Sequence, residues 1–345
     1  MEHATVGFEP LSVTIFTITL TASLLLDLFI HRKDQIIGFK SALFWSFFWV
    51  VISLGFGIYL LERFDSEVAT LFFTGYILEK SLSVDNLFVI MAVFAWFKIP
   101  DQLKHRILYY GILGALVFRA VFVALGSSLI SLGNWVEIVF GLWVFSTAVM
   151  MVRNNDNDNE EIEDYSHHIA YRFTRWLFPV WPKFCGHNFF ISGKKVAEIE
   201  NAPENSAIKL KRRGPVFCTP LLLCLAVVEI SDITFAFDSV PAVIAVSKDP
   251  FIIYTSIMFA VLGLRSMYFI LEVMRKYLCR LEIAVICLLV FIAFKLCYNA
   301  VLEIMQKPEY SIGNTASLIT ILSFLSAGIL GSVIFPKNNQ NERKE

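Results

Sequence analysis

The sequence predicts an all-α, polytopic membrane protein, and its composition and hydropathy pattern are the two observations that predict it. Of the 345 residues, 57% are apolar and 17% are charged, with a mean hydropathy of +0.64. An average soluble domain has about 45–50% apolar and about 25% charged residues. The composition therefore excludes a soluble enzyme, a nucleic-acid-binding protein and a disordered scaffold. We expect neither enzymatic activity nor a prosthetic group.

Nine apolar runs are long enough to cross a membrane, because each has at least 18 residues and a transmembrane helix needs about 20. The first run is expected to stay in the membrane, since the preceding residues carry Glu2 and Glu9 but no Lys or Arg, unlike a signal peptide. The predicted spans are 10–30, 41–61, 68–97, 106–125, 135–152, 216–246, 251–274, 281–302 and 311–335.

The basic residues predict the orientation of these spans. Of the 29 Lys and Arg residues, 22 lie in the C-terminal tail and the connections after spans one, three, five and seven, with Arg106 at the edge of the fourth span included, against three on the other side. Because cytoplasmic loops hold the basic excess, the N-terminus is predicted outside and the C-terminus in the cytoplasm.

One long cytoplasmic loop, 153–213, divides the chain into an N-terminal transmembrane half (1–152) and a C-terminal half (214–345) with a short tail. The loop begins with the polar, acidic tract 154–164, which is typical of disorder. Aromatic and basic residues follow, and this mixture is typical of a segment that lies on the membrane face.

Ten ionisable residues lie at least three residues inside the ends of the predicted spans, and a charge near the bilayer centre costs at least about 2.5–3.5 kcal/mol. They must face one another or a wet cavity, and such groups usually mark a pathway for ions or protons. Buried structural ion pairs between helices remain an alternative for any single residue. We expect Lys80 to pair with Asp27, Asp85 or Asp232. The ten are Asp27, Glu79, Lys80, Asp85, Arg119, Glu229, Asp232, Asp238, Arg265 and Lys295.

The acidic residues concentrate in the two longest spans, which at 30 and 31 residues exceed the thickness of the hydrocarbon core. We therefore expect helix breaks near 83–86 and 237–241, where freed carbonyls can face a ligand. An acidic segment precedes an arginine by 34 residues in one half (Asp85 to Arg119) and by 33 in the other (Asp232 to Arg265). This spacing, with opposite orientations, predicts two inverted repeats with broken helices at the midplane.

The expected ligands are oxygen atoms, since no His lies in the acidic spans and their Cys residues precede the acids. Oxygen-rich sites suit manganese, magnesium or calcium. Four basic residues are expected as charge partners that neutralise the acids when the cation is absent: Arg119, Arg265, Lys80 and Lys295. Secondary candidates are Asp27 and the hydroxyls of Ser83, Ser231 and Ser239. Closely packed carboxylates also make proton exchange a natural coupling.

Four segments resemble the TerC family of integral membrane proteins, and within it the Alx-like branch. They are GYILEKSLSVDNLFV (75–89), YYGILGALVFRAVF (109–122), TPLLLCLAVVEISDITFAFDSVPAV (219–243) and FAVLGLRSMYFIL (259–271). The resemblance implies a polytopic metal-ion transporter, and for the Alx-like branch manganese(II) export. Other members are tied to tellurite resistance or membrane-protein biogenesis. The family's acidic motif positions fall on Glu79, Asp85, Asn86, Glu229, Asp232 and Asp238.

We therefore expect a manganese(II) exporter that works by proton-coupled alternating access, with Asp85, Asp232 and Asp238 as core ligands. Its expected partners are the divalent cation and the lipid bilayer. Where many relatives have Ser-Asn, this chain has Ser256-Ile257, which removes an amide and can alter ion selectivity. The alternatives are a calcium or magnesium exchanger and a membrane-protein assembly or tellurite-type resistance factor that holds partners through 153–213.

Overall fold

Lipid offers the backbone no hydrogen-bonding partners, so the long apolar runs form helices whose polar groups bond within each segment. A computed structural model describes residues 9–30, 38–130, 132–155, 164–200, 210, 212, 214–274 and 281–334. Within these residues the chain forms twelve α-helices and one two-stranded sheet. The helices are α1 (Pro10–Ile30), α2 (Phe39–Arg63), α3 (Ser66–Trp96), α4 (Asp101–Ile130), α5 (Asn134–Asn155), α6 (Ile169–Leu177), α7 (Gly193–Glu200), α8 (Pro220–Ile244), α9 (Pro250–Val261), α10 (Leu264–Met274), α11 (Leu281–Ile304) and α12 (Asn314–Ile334). The strands are β1 (Phe190–Ser192) and β2 (Val216–Cys218), which pair antiparallel.

Seven helices in the described part of the chain are long and apolar enough to cross a membrane: α1, α2, α4, α5, α8, α11 and α12. The bent pair α9 and α10 forms an eighth candidate span. The third predicted span corresponds to α3, which is the longest of the helices at 31 residues but carries Glu79, Lys80 and Asp85 in its middle. The all-α, polytopic architecture is confirmed, whereas the count of nine spans stays a prediction.

The helix break expected in the third span is wrong, because α3 runs without interruption from Ser66 to Trp96. The serines of its polar stretch bond within the helix. Ser81 Oγ donates to the Ile77 carbonyl at 2.6 Å, and Ser83 Oγ donates to the Glu79 carbonyl at 2.8 Å. These hydroxyls therefore need no unwinding of the backbone to find partners.

The break expected at 237–241 is also wrong, because α8 continues from Pro220 to Ile244. Pro241 lies three residues before the end of this helix. A proline so close to a helix end removes one hydrogen bond but leaves little helix beyond it to redirect.

A break does occur in the seventh predicted span, between α9 and α10, where the two helix axes differ by 51°. Gly263 occupies the break with a φ of +80°, a left-handed conformation that glycine adopts without penalty. A Cβ at this position would lie 2.7 Å from Cδ1 of Trp49 on α2. The turn between α9 and α10 therefore requires glycine both for its backbone angle and for its contact with the Trp49 side chain.

The helices pack around an aromatic core shared by α1, α2, α3 and α9. The rings of Phe56 and Phe259 stack with centroids 4.7 Å apart. Phe16 and Phe72 approach Phe259 edge-on at 5.9 and 5.8 Å. Because α3 also contacts α8, α10 and α12, its polar stretch lies in the protein interior.

The described part of the long loop 153–213 forms a small folded unit. Trp181, Ile191, Val196 and Phe217 make an apolar cluster around the β1–β2 pair. Helix α6 packs on α8, and Ile169, Phe173, Trp176 and Leu177 are exposed on its other side. Most of the acidic tract 154–164 lies outside the described residues, and the division at 152 and 213 stays a prediction.

Candidate functional site

The side chain of Arg119, on α4, lies between acidic residues of α3 and α8. Arg119 and Glu79 are both fully buried and form an ion pair. The Nη2 atom of Arg119 lies 3.2 Å from Oδ1 of Asp232, whose side chain is 13% exposed. One guanidinium therefore joins carboxylates from the two acidic helices.

Glu229 adds a third carboxylate from one turn earlier on α8, on the same face as Asp232 because residues three apart are neighbours on a helix. Its carboxylate lies directly against Gly114 of α4, since a Cβ at Gly114 would overlap with it. The missing side chain at Gly114 thus makes the space that Glu229 occupies. We call Glu79, Arg119, Glu229 and Asp232 the Arg119 cluster.

The Arg119 cluster is rich in negative charge. When all its groups are ionised, three carboxylates and one guanidinium leave two formal negative charges. Uncompensated charges are costly away from water, so the cluster gains from binding either a cation or protons. Among the described side chains, no three acidic, His or Cys residues converge closely enough to hold a metal ion. A cation that binds between Glu79 and Asp232 must therefore displace the Arg119 guanidinium.

The other predicted ligands of α3 and α8 are less fully placed. Ser83 and Asn86 are buried on α3, and Asp85 is half-buried on the same helix. Ser231 and Ser239 are buried on α8. The side chain of Asp238 lies outside the described part of the structure, so its place relative to the cluster stays a prediction.

The side chain of Lys80 lies at the break between α9 and α10. Its Nζ donates to the Ala260 carbonyl at 3.0 Å and to the Leu262 carbonyl at 3.1 Å. The expected pairing of Lys80 with Asp27, Asp85 or Asp232 is therefore wrong. Carbonyls at the C-terminal end of a helix carry partial negative charge and lack helical partners, so they attract an ammonium group.

Arg265 on α10 forms an ion pair with Asp27 on α1. Its Nη2 is 2.5 Å from Oδ1 of Asp27 and 3.1 Å from the Asp27 backbone carbonyl. The sequence groups Arg265 with Arg119 as a partner of the α3 and α8 acids, whereas the structure places it at this separate ion pair. The helix break thus has charged contacts at both ends, from Lys80 before Gly263 and from Arg265 after it.

Lys295, on α11, is 3% exposed. Its Nζ has no hydrogen-bond partner among the residues that the structure describes. No described acidic side chain forms an ion pair with it, so its predicted role as a charge partner stays a prediction.

The sequence interpretation missed the glycines that shape this region. Gly114 gives space to the Glu229 carboxylate, and Gly263 makes the turn whose carbonyls hold Lys80. Both lie inside the segments that carry the family resemblance, in GILGALVFR and LGLR, each shortly before the arginine. In the sequence, the small residues Gly114 and Gly263 therefore indicate these contacts, and the pattern of charged residues does not.

Comparison with known proteins identifies the family. Residues 64–340 match the Integral membrane protein TerC family. The chain belongs to the TerC family. This match contains the whole Arg119 cluster, the helix break, Lys80, Arg265 and Lys295, and it leaves only Asp27 among the candidate residues outside.

TerC family relatives cover nearly the full chain. Tellurium resistance protein TerC of Serratia marcescens is 52% identical over 100% of this chain and 99% of that protein. The protein of the same name from an Alcaligenes species is 51% identical over both full lengths. Putative membrane-bound redox modulator Alx of Photorhabdus laumondii is 36% identical over 93% of this chain and 96% of that protein. No solved structure matches the chain.

Proposed function

We propose that this protein exports manganese(II) from the cytoplasm by alternating access, in exchange for protons. The observation that carries the proposal is the Arg119 cluster, in which a buried guanidinium bridges carboxylates of α3 and α8. Carboxylate, hydroxyl and amide oxygens are ligands that suit manganese better than copper or zinc.

The cluster supports a displacement mechanism. In the state that the structure describes, Arg119 neutralises Glu79 and Asp232. A divalent cation competes for the same carboxylates, so its binding releases Arg119. When the cation leaves, Arg119 or protons return to the carboxylates. Asp85 and Asp238 are the further ligands of this proposal, with Asn86 in support.

The proposed transporter has nine spans, with its N-terminus outside and its C-terminus in the cytoplasm of a bacterial inner membrane. Eight candidate spans together with α3 support that number. The distribution of basic residues supports the orientation.

Two inverted repeats remain part of the proposal. The break at Gly263 gives one span a hinge, and Lys80 links that hinge to the helix that carries Glu79.

The test is the manganese content of exporter-deficient bacteria that produce the protein. The parent should lower cellular manganese, and D85N and D232N should each lose at least about tenfold of that activity, the loss typical of a weakened metal site. D101N is the matched control, since Asp101 is exposed at the start of α4. If both D85N and D232N export manganese as well as the parent does, the assignment of Asp85 and Asp232 as metal ligands is wrong.

A second candidate function is tellurium resistance, favoured by 51–52% identity over the full length to two proteins that bear this name. Growth on tellurite with the same variants tests it. Resistance that requires Asp232 while manganese content stays unchanged would favour this function over export.

The remaining alternatives have separate tests. Competition among manganese, calcium and magnesium in proteoliposomes identifies the transported ion. Deletion of 154–164 tests the assembly factor, because loss of the cellular function with intact ion flux would favour a role in holding partner proteins.

A further inference from the structure

A cavity of about 430 Å³ opens at one end of the helix bundle. Trp96 and Phe97 at the end of α3 line one side, and Pro220 and Leu223 at the start of α8 line another. Helix α6 and the segment after it complete the walls. Pro220 begins a candidate membrane span, and the end of a span lies where lipid headgroups meet the hydrocarbon region, so we place the cavity at that depth.

Helix α6 has the surface of a helix that lies in that interface. It buries Ala170 and Thr174 against the protein and exposes Ile169, Phe173 and Trp176 on the other side. Aromatic residues favour the headgroup level of a bilayer, and a helix with one apolar face inserts that face among the acyl chains. The exposed apolar side of α6 therefore suits contact with lipid next to the cavity.

Two guanidinium groups line the cavity, and no acidic residue does so among the described lining residues. Arg175 Nη1 donates to the Tyr171 hydroxyl at 3.2 Å, and its guanidinium lies 5.2 Å from the centre of the Tyr171 ring. Arg212 Nη1 donates to the Trp176 carbonyl at 2.7 Å. A guanidinium has five N–H donors, so each arginine retains donors for a further acceptor. Paired donors of this kind match the oxygens of a phosphate group.

We propose that this cavity binds the headgroup of an anionic phospholipid, with Arg175 and Arg212 holding the phosphate and α6 contacting the acyl chains. The positive charge and the position at the interface together select the ligand. A zwitterionic lipid brings its own positive charge to the two guanidinium groups, whereas an anionic lipid does not. The site would anchor the cytoplasmic loop to the bilayer at the ends of α3 and α8.

Native mass spectrometry of the full-length purified protein tests this proposal, with phosphatidylglycerol and phosphatidylcholine as probes. We expect preferential retention of phosphatidylglycerol. R175Q should weaken it about fivefold, and R175Q/R212Q about 25-fold, from the contribution of each basic residue near a membrane surface. R172Q is the matched control, because Arg172 is exposed on the same helix but does not line the cavity. R175Q alone carries the test if the double variant does not fold, since the Arg175 side chain makes no hydrogen bond to the backbone among the residues that the structure describes.

Three outcomes would overturn the proposal. Equal loss of phosphatidylglycerol in R172Q and R175Q would show that the general surface charge of the protein, and not the cavity, attracts the lipid. Equal retention of phosphatidylcholine and phosphatidylglycerol by the parent would show an apolar cavity without headgroup selection. Full displacement of the lipid by millimolar inorganic phosphate would show a phosphate site that does not require a lipid.

Discussion

Gly111 and Gly114 lie one turn apart on α4, and the substitution of each by Ala tests the geometry of the Arg119 cluster. A Cβ at Gly114 overlaps with the Glu229 carboxylate, whereas a Cβ at Gly111 would lie 3.5 Å from Cγ1 of Val228, an ordinary van der Waals contact. The overlapping atoms are the end of a flexible side chain. We therefore expect G114A to displace the carboxylate and to leave the helices in place.

The two variants should differ more in function than in stability. Each substitution gains about 0.8–1 kcal/mol of helix propensity. Moving Glu229 into a less favoured rotamer costs about 0.5–1.5 kcal/mol, so the free energy of unfolding of G114A should stay within about 1 kcal/mol of the parent. The carboxylate must retreat by about 1.3 Å to regain ordinary contact distance. For a divalent cation about 4 Å away, at an effective dielectric constant of about 20, this retreat removes about 2 kcal/mol of attraction, or about 30-fold in binding.

Manganese flux into proteoliposomes and unfolding of the purified protein are the two assays. G114A should retain the parent's stability and lose about 30-fold in apparent manganese affinity, while G111A retains both. Equal flux in the two variants would refute the reasoning. If the parent shows no flux, the free energy of unfolding still tests the contact between position 114 and Glu229. In an E229A background, G114A should stabilise the protein as much as G111A does, because no carboxylate remains to displace.

Three further substitutions test the helix break at Gly263 and the ion pair between Arg63 and Glu9. K80M leaves the two carbonyls at the break without their donor and should cost about 1–3 kcal/mol of stability, with faster hydrogen exchange in peptides across residues 258–266; unchanged exchange would show that Lys80 does not hold the break. G263A should cost about 2–4 kcal/mol, because Ala disfavours a positive φ and its Cβ meets the Trp49 side chain, whereas G55A, with nothing within 4 Å of its Cβ, should cost nothing. The Arg63 side chain donates to Glu9 and holds the pKa of that carboxyl below its usual value of 4.5. The stability contributed by this pair is therefore complete above about pH 4.5 and falls as the pH drops through the lower folded pKa; thermal unfolding of the parent between about pH 5 and pH 3 should show this loss, and R63Q should reduce it.

The positions of the charged residues illustrate how far sequence patterns reach. The sequence predicts Arg119 as a partner of acids on α3 and α8, and the structure places it between Glu79 and Asp232. The same pattern predicts acidic partners for Lys80, but this side chain binds main-chain carbonyls. A carbonyl becomes an acceptor for a side chain only where a helix ends, and hydropathy does not locate that end.

The helix breaks show the same limit. Excess length and Pro241 suggested interruptions in α3 and α8, yet both helices are continuous. The interruption lies at Gly263, in a run that the sequence predicts as one continuous span, 251–274. Length and composition describe a helix in isolation, whereas a kink depends on which neighbour, here Trp49, occupies the space beside the turn.

The amino-acid sequence is enough to identify an all-α membrane protein whose interior contains charged residues, because the cost of placing polar groups in lipid acts on every residue of a span and leaves a pattern along the chain. Membership of the TerC family follows instead from the match over residues 64–340. The packing of the helices is what reveals that Arg119 bridges two carboxylates, that Gly114 admits Glu229, and that Lys80 holds the break between α9 and α10. Each of these contacts joins residues far apart in the chain, and their distances depend on how the helices pack.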